Sequence, residues 1–340
     1  MAVVRIVNEK DLSGLNALAK TVDGFMTTMP NSSEDMQVRI KTSVDSFNRD
    51  VMEPGNEIYL FVMEEEGEII GVSGIYSTVG LDRPFYSYRV VKSSTVSKDV
   101  GVRNDMDVLH LVNDYSGCSE VATLFLNPQK RGGGRGVLLS FSRLMFIAAH
   151  RNRFPGKAFG EIRGWTDENN ESPFWNAVGS KFFKMDMDVA DARSGDEFQF
   201  MADLMPKYPI YVNLLPRDAQ DVIAKPNDSA QGAVKLLQKQ GFRYQGQIDI
   251  FDAGICVDTW VDEIDIVKNI QSVTLNCVDD FSAKDDDKFA LIANASLENF
   301  RVISKKIQYS DSSMSGINVS KEILEELNLQ SGDAAALYWL

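Results

Sequence analysis

Apolar and polar positions follow two different periods along this chain, and the changes between them mark out its elements. VVRIV at 3–7 is a short apolar run and predicts a strand. In DLSGLNALAKTV, Leu12, Leu15, Leu18 and Ala19 recur at helical spacing, and Gly14 weakens that helix without abolishing it. Residues 23–36, DGFMTTMPNSSEDM, predict a loop feeding a polar helix, with Asn31, Ser32 and Ser33 as caps. EIYLFVMEEEGEIIGVSGIYSTVG at 57–80 has two apolar runs divided by an acidic turn ending in Gly67, the pattern of a β-hairpin. FYSYRVV at 85–91 predicts another strand and SEVATLFLNP at 119–128 a buried one.

GVLLSFSRLMFIAAH at 136–150 predicts a long apolar helix with Arg143 as its one charge, KAFGEIRGW at 157–165 a strand, and ESPFWNAVGSKFF at 171–183 the next helix. FQFMADLMP at 198–206 is expected to return to the sheet. The order β-α-α-β-β-β-β-α-β-α-β over about residues 1–210 is a mixed α/β layout. Residues 216–242 predict two helices separated near Pro226 and ended by Gly241, and 243–254 a strand and turn. From about 272, β-prone runs alternate with DDFSAKDDDK and SDSSMSG, and the chain closes on a small helix, a turn and a strand. Three successive segments are therefore expected: 1–215, an α/β domain; 216–271, a helix-strand segment completing the substrate site; and 272–340, a small β-rich module.

Charge narrows the function. Thirty-five Lys and Arg against 49 Asp and Glu leave a net charge of −14, which argues against a broad nucleic-acid footprint. The aromatic clusters PFYSY and SPFW then read as core and pocket wall rather than base-stacking platforms. Three cysteines, Cys118, Cys256 and Cys277, are too few for a disulfide framework and too scattered for a metal pair. The tract Asp285–Asp287 reads as a solvated loop, and no metal is expected. MAVVRIVNEKDL turns polar within eight residues, and no uncharged apolar run reaches the length of a membrane span, so the expectation is a soluble cytoplasmic protein that needs no membrane.

Against that acidic background, NPQKRGGGRG at 127–136 packs four glycines and three cations between an apolar strand and a long helix. It lacks the G-x-x-x-x-G-K-[ST] phosphate loop, and Val137 breaks the dinucleotide pattern G-x-G-x-x-G. What remains is Arg131-x-x-Gly134-x-Gly136. Glycines let the backbone approach an anion closely, helix-start N–H groups point at it, and Arg131 and Arg135 can add charge.

R-x-x-G-x-G after a strand resembles the acyl-CoA pyrophosphate loop of the GNAT N-acyltransferases. DRPFYSYRV, NDYSGCSEVATLFLNP, SPFWNAVGSKFFKMD, FMADLMPKYPIY, AQDVI, GFRYQGQIDIFDAG and LQSGD extend the likeness over nearly the whole chain to the arginine N-succinyltransferase family. The resemblance implies a GNAT-like mixed sheet flanked by helices and a β-rich C-terminal module. It also implies succinyl transfer from succinyl-CoA to the α-amino group of arginine, part of arginine catabolism, with the acyl-CoA as cosubstrate and no permanently bound cofactor. Leu124, in TLFL with Phe125 and Leu126, matches a succinyl-CoA contact of the family, and Arg131, Gly132, Gly133, Gly134, Arg135 and Gly136 would hold the pyrophosphate.

One position departs from the pattern. The family uses a His shortly after AQDVI; here the segment is AKPNDSAQG, and Asn227 stands at that position, followed by Asp228. An amide cannot exchange a proton near neutral pH. Another group, Tyr211, Tyr208, Cys118 or His110, then carries the proton, or the chain acts on a different amine or acyl donor, or it is a catalytically weak acyl-CoA-binding or scaffold protein. His150 reads as a helix-end surface residue, and a lone cysteine as packing rather than nucleophile. Arg89 and Arg163, which interrupt apolar runs, are expected to take carboxylates of the substrates, and Glu120 and Glu161 a cation. The partners expected are a small-molecule amine and an acyl-CoA, with a homo-oligomer left open.

Overall fold

The computed structural model describes residues 1–22, 26, 28–30, 32–194, 199–278, 286–308 and 316–340. They group into two compact units, Met1–Ser77 with Val121–Gly156 and Trp260–Leu340, and Thr78–Glu120 with Lys157–Thr259. These units interleave along the chain and do not follow the three successive segments, because strands distant in sequence share ladders.

The first unit is built on a sheet whose strands run in the order Ile317–Val319, Gln271–Cys277, Ala334–Trp339, Lys288–Ala293, Arg301–Ile307, Ala2–Ile6, Ile58–Glu65, Glu68–Tyr76 and Ser119–Leu126. The C-terminal strands continue the N-terminal ladder, since Arg5 stands opposite Val62 on one side and Arg301 on the other. The hairpin expected at 57–80 forms, and its two-residue loop places Glu66 and Gly67 at φ 54° and 79°, the doubly left-handed turn that matches strand twist. Ser32 caps the helix Ser33–Asn48 by accepting from the Asp35 N–H at 3.0 Å; the alternative cap Asn31 lies outside the described residues. The helix Arg135–Ala149 buries Phe146 among Phe47, Tyr59, Phe61 and Phe300, with ring centroids 5.1–5.5 Å away. His150 joins this aromatic group, 4.6 Å from Phe146, and burial lowers its pKa to about 4, which corrects the surface role expected of it. The closing helix Lys321–Leu327 and strand Ala334–Trp339 form as expected, with Ile323, Leu324 and Leu327 in the same core as Leu275 and Ile303.

In the second unit the order is Lys157–Glu161, Ile255–Trp260, Arg243–Ile248, Ser87–Ser97, Val102–Val112 and Ile210–Tyr211, with Ser119 and Glu120 laddered in parallel to Ala158 and Phe159. Three expectations need correction. The run 85–91 is the start of an eleven-residue strand, and Val102–Val112 is a second strand paired to it in full, hidden because Arg103, Asn104, Asp105 and Asp107 break any apolar run. The predicted helix 171–183 is two short helices, Pro173–Ala177 and Gly179–Phe183, divided at Val178. Residues 199–204 are helical rather than a strand; Met201 and Met205 reach the core one helical turn apart, and residue 198 lies outside the described residues. The two helices expected over 216–242 are short, Arg217–Asp221 and Gln231–Lys239, and Gly241 at φ 93° closes the second. Among the described residues no helix is long and apolar enough to cross a membrane, and no group of three or more His, Cys, Asp or Glu could hold a metal ion. Of Asp285–Asp287, Asp285 lies outside the described residues, as do 309–315.

Candidate functional site

The glycine stretch lies in the first unit. Along Ser119–Leu126, Phe125 packs into the core while Leu124 and Leu126 stay half-exposed, the alternation of a strand with one open side. Thr123 breaks the pleat: its φ is 52°, and its buried Oγ1 has no hydrogen-bond partner among the described residues. Arg143, fully buried on the following helix, donates from Nη1 to the Ala122 carbonyl at 3.0 Å and from Nε to Ser140 O at 3.2 Å, fixing the strand just before that irregularity. The single charge of an apolar helix was its sequence signature; the partner it holds was not legible.

After the strand, the Asn127 side chain accepts from the Gln129 N–H at 3.0 Å and turns the chain. Gly132, Gly133 and Gly134 then take φ values of 104°, 59° and 77°, a region closed to most side chains. Gly134 is the N-cap of the helix and offers no side-chain acceptor; the Arg135 N–H donates to the Gly132 carbonyl at 3.2 Å, and among the described residues the first-turn amides of Gly136 and Val137 are left to an outside anion. The space before Gly132, Gly134 and Gly136 is clear for 4 Å. The two arginines differ. Arg135 is held by Glu65 at 2.8 and 2.9 Å from Nη2, whereas Arg131 is exposed and makes no salt bridge among the described residues.

The remaining candidates lie in the second unit, in two groups. Arg89 stands opposite His110 in the ladder, and Val108 opposite Tyr211, which puts Arg89, His110 and Tyr211 on one face of the sheet. Arg89 is already paired, with Asp114 at 2.5 Å, and Gln247 donates to the same carboxylate at 3.0 Å. Tyr211 is exposed, and Tyr208 more so.

The second group gathers around Glu161. The segment after that strand carries Arg163, whose carbonyl accepts from the Asn227 N–H at 2.8 Å, so Arg163 and Asn227 share one short antiparallel bridge beside Gly164 and Pro226. Asn227 is committed to structure: its Oδ1 accepts from Ser229 N at 3.0 Å and Ser229 Oγ at 2.7 Å, and its Nδ2 donates to Thr166 Oγ1 at 3.3 Å. Asp228 accepts from Gln231 at 3.1 Å, and Arg163 donates to Asn170 at 3.1 Å. The Gly164 N–H donates to Asp252 Oδ2 at 2.7 Å, a contact so close that a Cβ on Gly164 would strike the Asp252 backbone.

That bridge brings Asp252 and Asp249 to Glu161, two acids that sequence reasoning missed because IDIFDAG reads as a plain turn. Asp249 accepts from the N–H groups of Phe251 and Asp252 at 2.6 and 2.8 Å. Burial pushes the Glu161 carboxyl well above its ordinary range, and the neighbouring Glu120 and Asp252 push it further. Burial likewise raises Asp249, with Glu161 next, and it raises Asp252 despite the N–H donors of Gly164 and Gly254. The Cys256 thiol donates weakly to Glu161 at 3.7 Å, and its own pKa is raised well above the ordinary value by burial and then by Glu161, so it is a poor nucleophile. Cys118 is raised by burial too. The arrangement is a group of neighbouring carboxyls whose pKa values burial raises.

Comparison with known proteins places the chain by its whole length. The family model of the arginine N-succinyltransferase beta subunit matches residues 2–266. Arginine N-succinyltransferases of two Escherichia coli strains are each 36% identical over 340 residues, covering 99% of this chain and 97% of theirs. The solved structure of arginine/ornithine succinyltransferase subunit AI from Pseudomonas aeruginosa has a TM-score of 0.88 at 30% identity, covering 100% of this chain and 98% of that one.

Proposed function

The chain belongs to the arginine N-succinyltransferase family, with its GNAT-like mixed α/β fold, and from that premise we propose that it transfers the succinyl group of succinyl-CoA to the α-amino nitrogen of L-arginine. It is an acyltransferase of that type. The observation that carries the cosubstrate assignment is the run of three left-handed glycines opening an uncapped helix N-terminus. In this reading the amides of Gly132–Gly136 take the pyrophosphate of the acyl-CoA, Arg131 adds a free guanidinium, and Leu124–Leu126 lie along its thioester arm. Arg135 supports the loop through Glu65 rather than touching phosphate.

Glu161, with Glu120, Asp249 and Asp252, is proposed to take the guanidinium of arginine, which would add to the Arg163 charge that already favours ionised Asp252. Arg163 is the proposed partner for a substrate carboxylate, and Arg89 a weaker one because Asp114 already occupies it. In the reaction the neutral amine attacks the thioester carbonyl, a C–N bond forms, the C–S bond breaks, and one proton passes from nitrogen toward the departing thiolate. Asn227, an amide held by Ser229 and Thr166, cannot carry that proton. Asp228, one residue on, or His110 and Tyr211 would carry it. The reaction is assigned to the cytoplasm.

The amide at 227 also favours a second reading, a related N-acyltransferase with another amine or acyl donor. Incubating the full chain with a panel of acyl-CoA esters and amines, followed by mass spectrometry, separates the two. Arginine gaining one succinyl group is expected. Turnover of another pair alone would select the second reading, and binding without acylation across the panel would reject both.

A further inference from the structure

The turn of the hairpin Ile58–Glu65 and Glu68–Tyr76 is acidic, and its last cross-strand pair sets Glu65 directly opposite Glu68. Like charges so placed destabilise a hairpin, and here each is met by a cation. Glu68 takes Lys130 at 2.8 Å. Glu65 takes the Arg135 guanidinium with both oxygens, at 2.8 and 2.9 Å from Nη2 and 3.2 Å from Nε. The Glu65 and Arg135 side chains are 19% and 29% exposed, so water screens this fork less than it screens the Lys130 pair.

Lys130 and Arg135 stand immediately before and after the stretch Arg131–Gly134. Its three glycines all take positive φ, and glycine loses more freedom on ordering than any other residue. Arg135 also reaches back over the run. Its Nη1 lies 3.5 Å from the Gly132 carbonyl, and a Cβ on Gly133 would lie 3.0 Å from the same nitrogen. The guanidinium is thus held between Glu65 and the glycine backbone, while Arg131, between the two tethered cations, makes no salt bridge among the described residues.

We propose that Glu65 and Glu68 are positioning residues for the acyl-CoA loop: through Arg135 and Lys130 they hold both ends of the glycine run in its anion-receiving form before the ligand arrives. The inference rests on the reading of that loop as the pyrophosphate site. A loop ordered in advance spares the ligand part of the ordering cost. The sign of the effect separates this role from simple charge. A carboxylate near an anion site repels the anion, so by charge alone its removal tightens binding; as a strut, its removal loosens binding. The two struts back each other up, because one remaining pair and the helix start still hold the run, so losing both costs more than the sum of the single losses.

Calorimetric titration of the full chain with CoA, beside steady-state kinetics and circular dichroism as the folding control, tests the proposal. Glu65→Gln with Glu68→Gln is expected to weaken CoA binding about fivefold, the scale of ordering a few loop side chains. The KM for succinyl-CoA should rise in step, with kcat and the KM for arginine unchanged. Glu68→Gln with Arg135→Gln cuts both pairs at constant net charge and is expected to show the same loss. Glu66→Gln, which takes a charge from the same turn without cutting a salt bridge among the described residues, should bind CoA as tightly as wild type or more tightly. Unchanged or tighter CoA binding in the two double variants would overturn the proposal, as would an equal loss in Glu66→Gln. Gly134→Val separates the two readings. If it binds CoA as wild type does, the pyrophosphate site and the proposal fall together; if it weakens CoA while both double variants do not, the proposal falls alone.

Discussion

The loop at 131–136 and the carboxylates around Glu161 are built in opposite ways. The loop is made of backbone, left-handed glycines and a helix end, with Arg135 tied back to Glu65 and Arg131 exposed and without a salt bridge among the described residues. The acid group is made of side chains that come from separated stretches, Glu161 from one strand and Asp249 and Asp252 from the turn after another, and burial raises their pKa values. A site of backbone depends on conformation, so it should fail when a side chain forces the wrong φ. A site of buried carboxylates depends on charge balance, so it should fail when one charge is removed.

The largest effect is therefore expected from Glu161→Gln. Removing one partner of a buried ion pair costs about 3–5 kcal/mol, so kcat/KM for arginine should fall by ~100-fold or more while acyl-CoA affinity stays put. Steady-state kinetics and calorimetry measure both, and loss of acyl-CoA binding instead would count against the assignment. The pH dependence sharpens it. A carboxyl raised in the folded state keeps its proton where the unfolded chain has lost it, so stability falls as pH climbs from about 4.5 toward the raised value. Melting curves across that range should flatten in Glu161→Gln.

Asn227→His comes next. Restoring a titratable ring beside Asp228 should change turnover by ~10- to 100-fold, within the reach of a partly placed proton carrier, and add a limb near neutral pH to the kcat profile. Comparison with Asp228→Asn identifies the carrier. Profiles that superimpose on the wild type in both variants would move the proton path to His110 and Tyr211.

Gly134→Val tests the backbone half. A branched residue at φ 77° costs about 1–2 kcal/mol of local strain, and acyl-CoA should bind ~10-fold more weakly by calorimetry, with arginine affinity unchanged. Equal acyl-CoA affinity in a folded variant would remove the pyrophosphate from this loop. The smallest difference separates the arginines: Arg131→Ala should weaken acyl-CoA binding by a few-fold and make that binding less sensitive to salt than it is in wild type. Arg135→Ala should lower the melting temperature through loss of the Glu65 pair and affect binding less.

Much of the first unit was legible in the chain. The strand 119–126, the glycine loop and the helix after it follow one another within about thirty residues, and each is set by local chemistry: apolar alternation, residues free to take positive φ, then helical spacing. The ordered motifs likewise carried the family. Local pattern did not carry the strand Val102–Val112, because a ribbon with little core to face has no reason to alternate, nor the helix at 199–204, whose apolar residues fit either period in so short a window. It named Glu161 and Arg163 but could not join them to Asp249 and Asp252, since one hydrogen bond from Gly164 to a residue 88 positions away makes that neighbourhood. Nor could it show that Asn227 is spent on Ser229 and Thr166, or that His150 lies among phenylalanines with its pKa lowered to about 4. Sequence fixes what neighbours in the chain can do to one another; burial and the meeting of like charges depend on strands that only the folded ladder brings together.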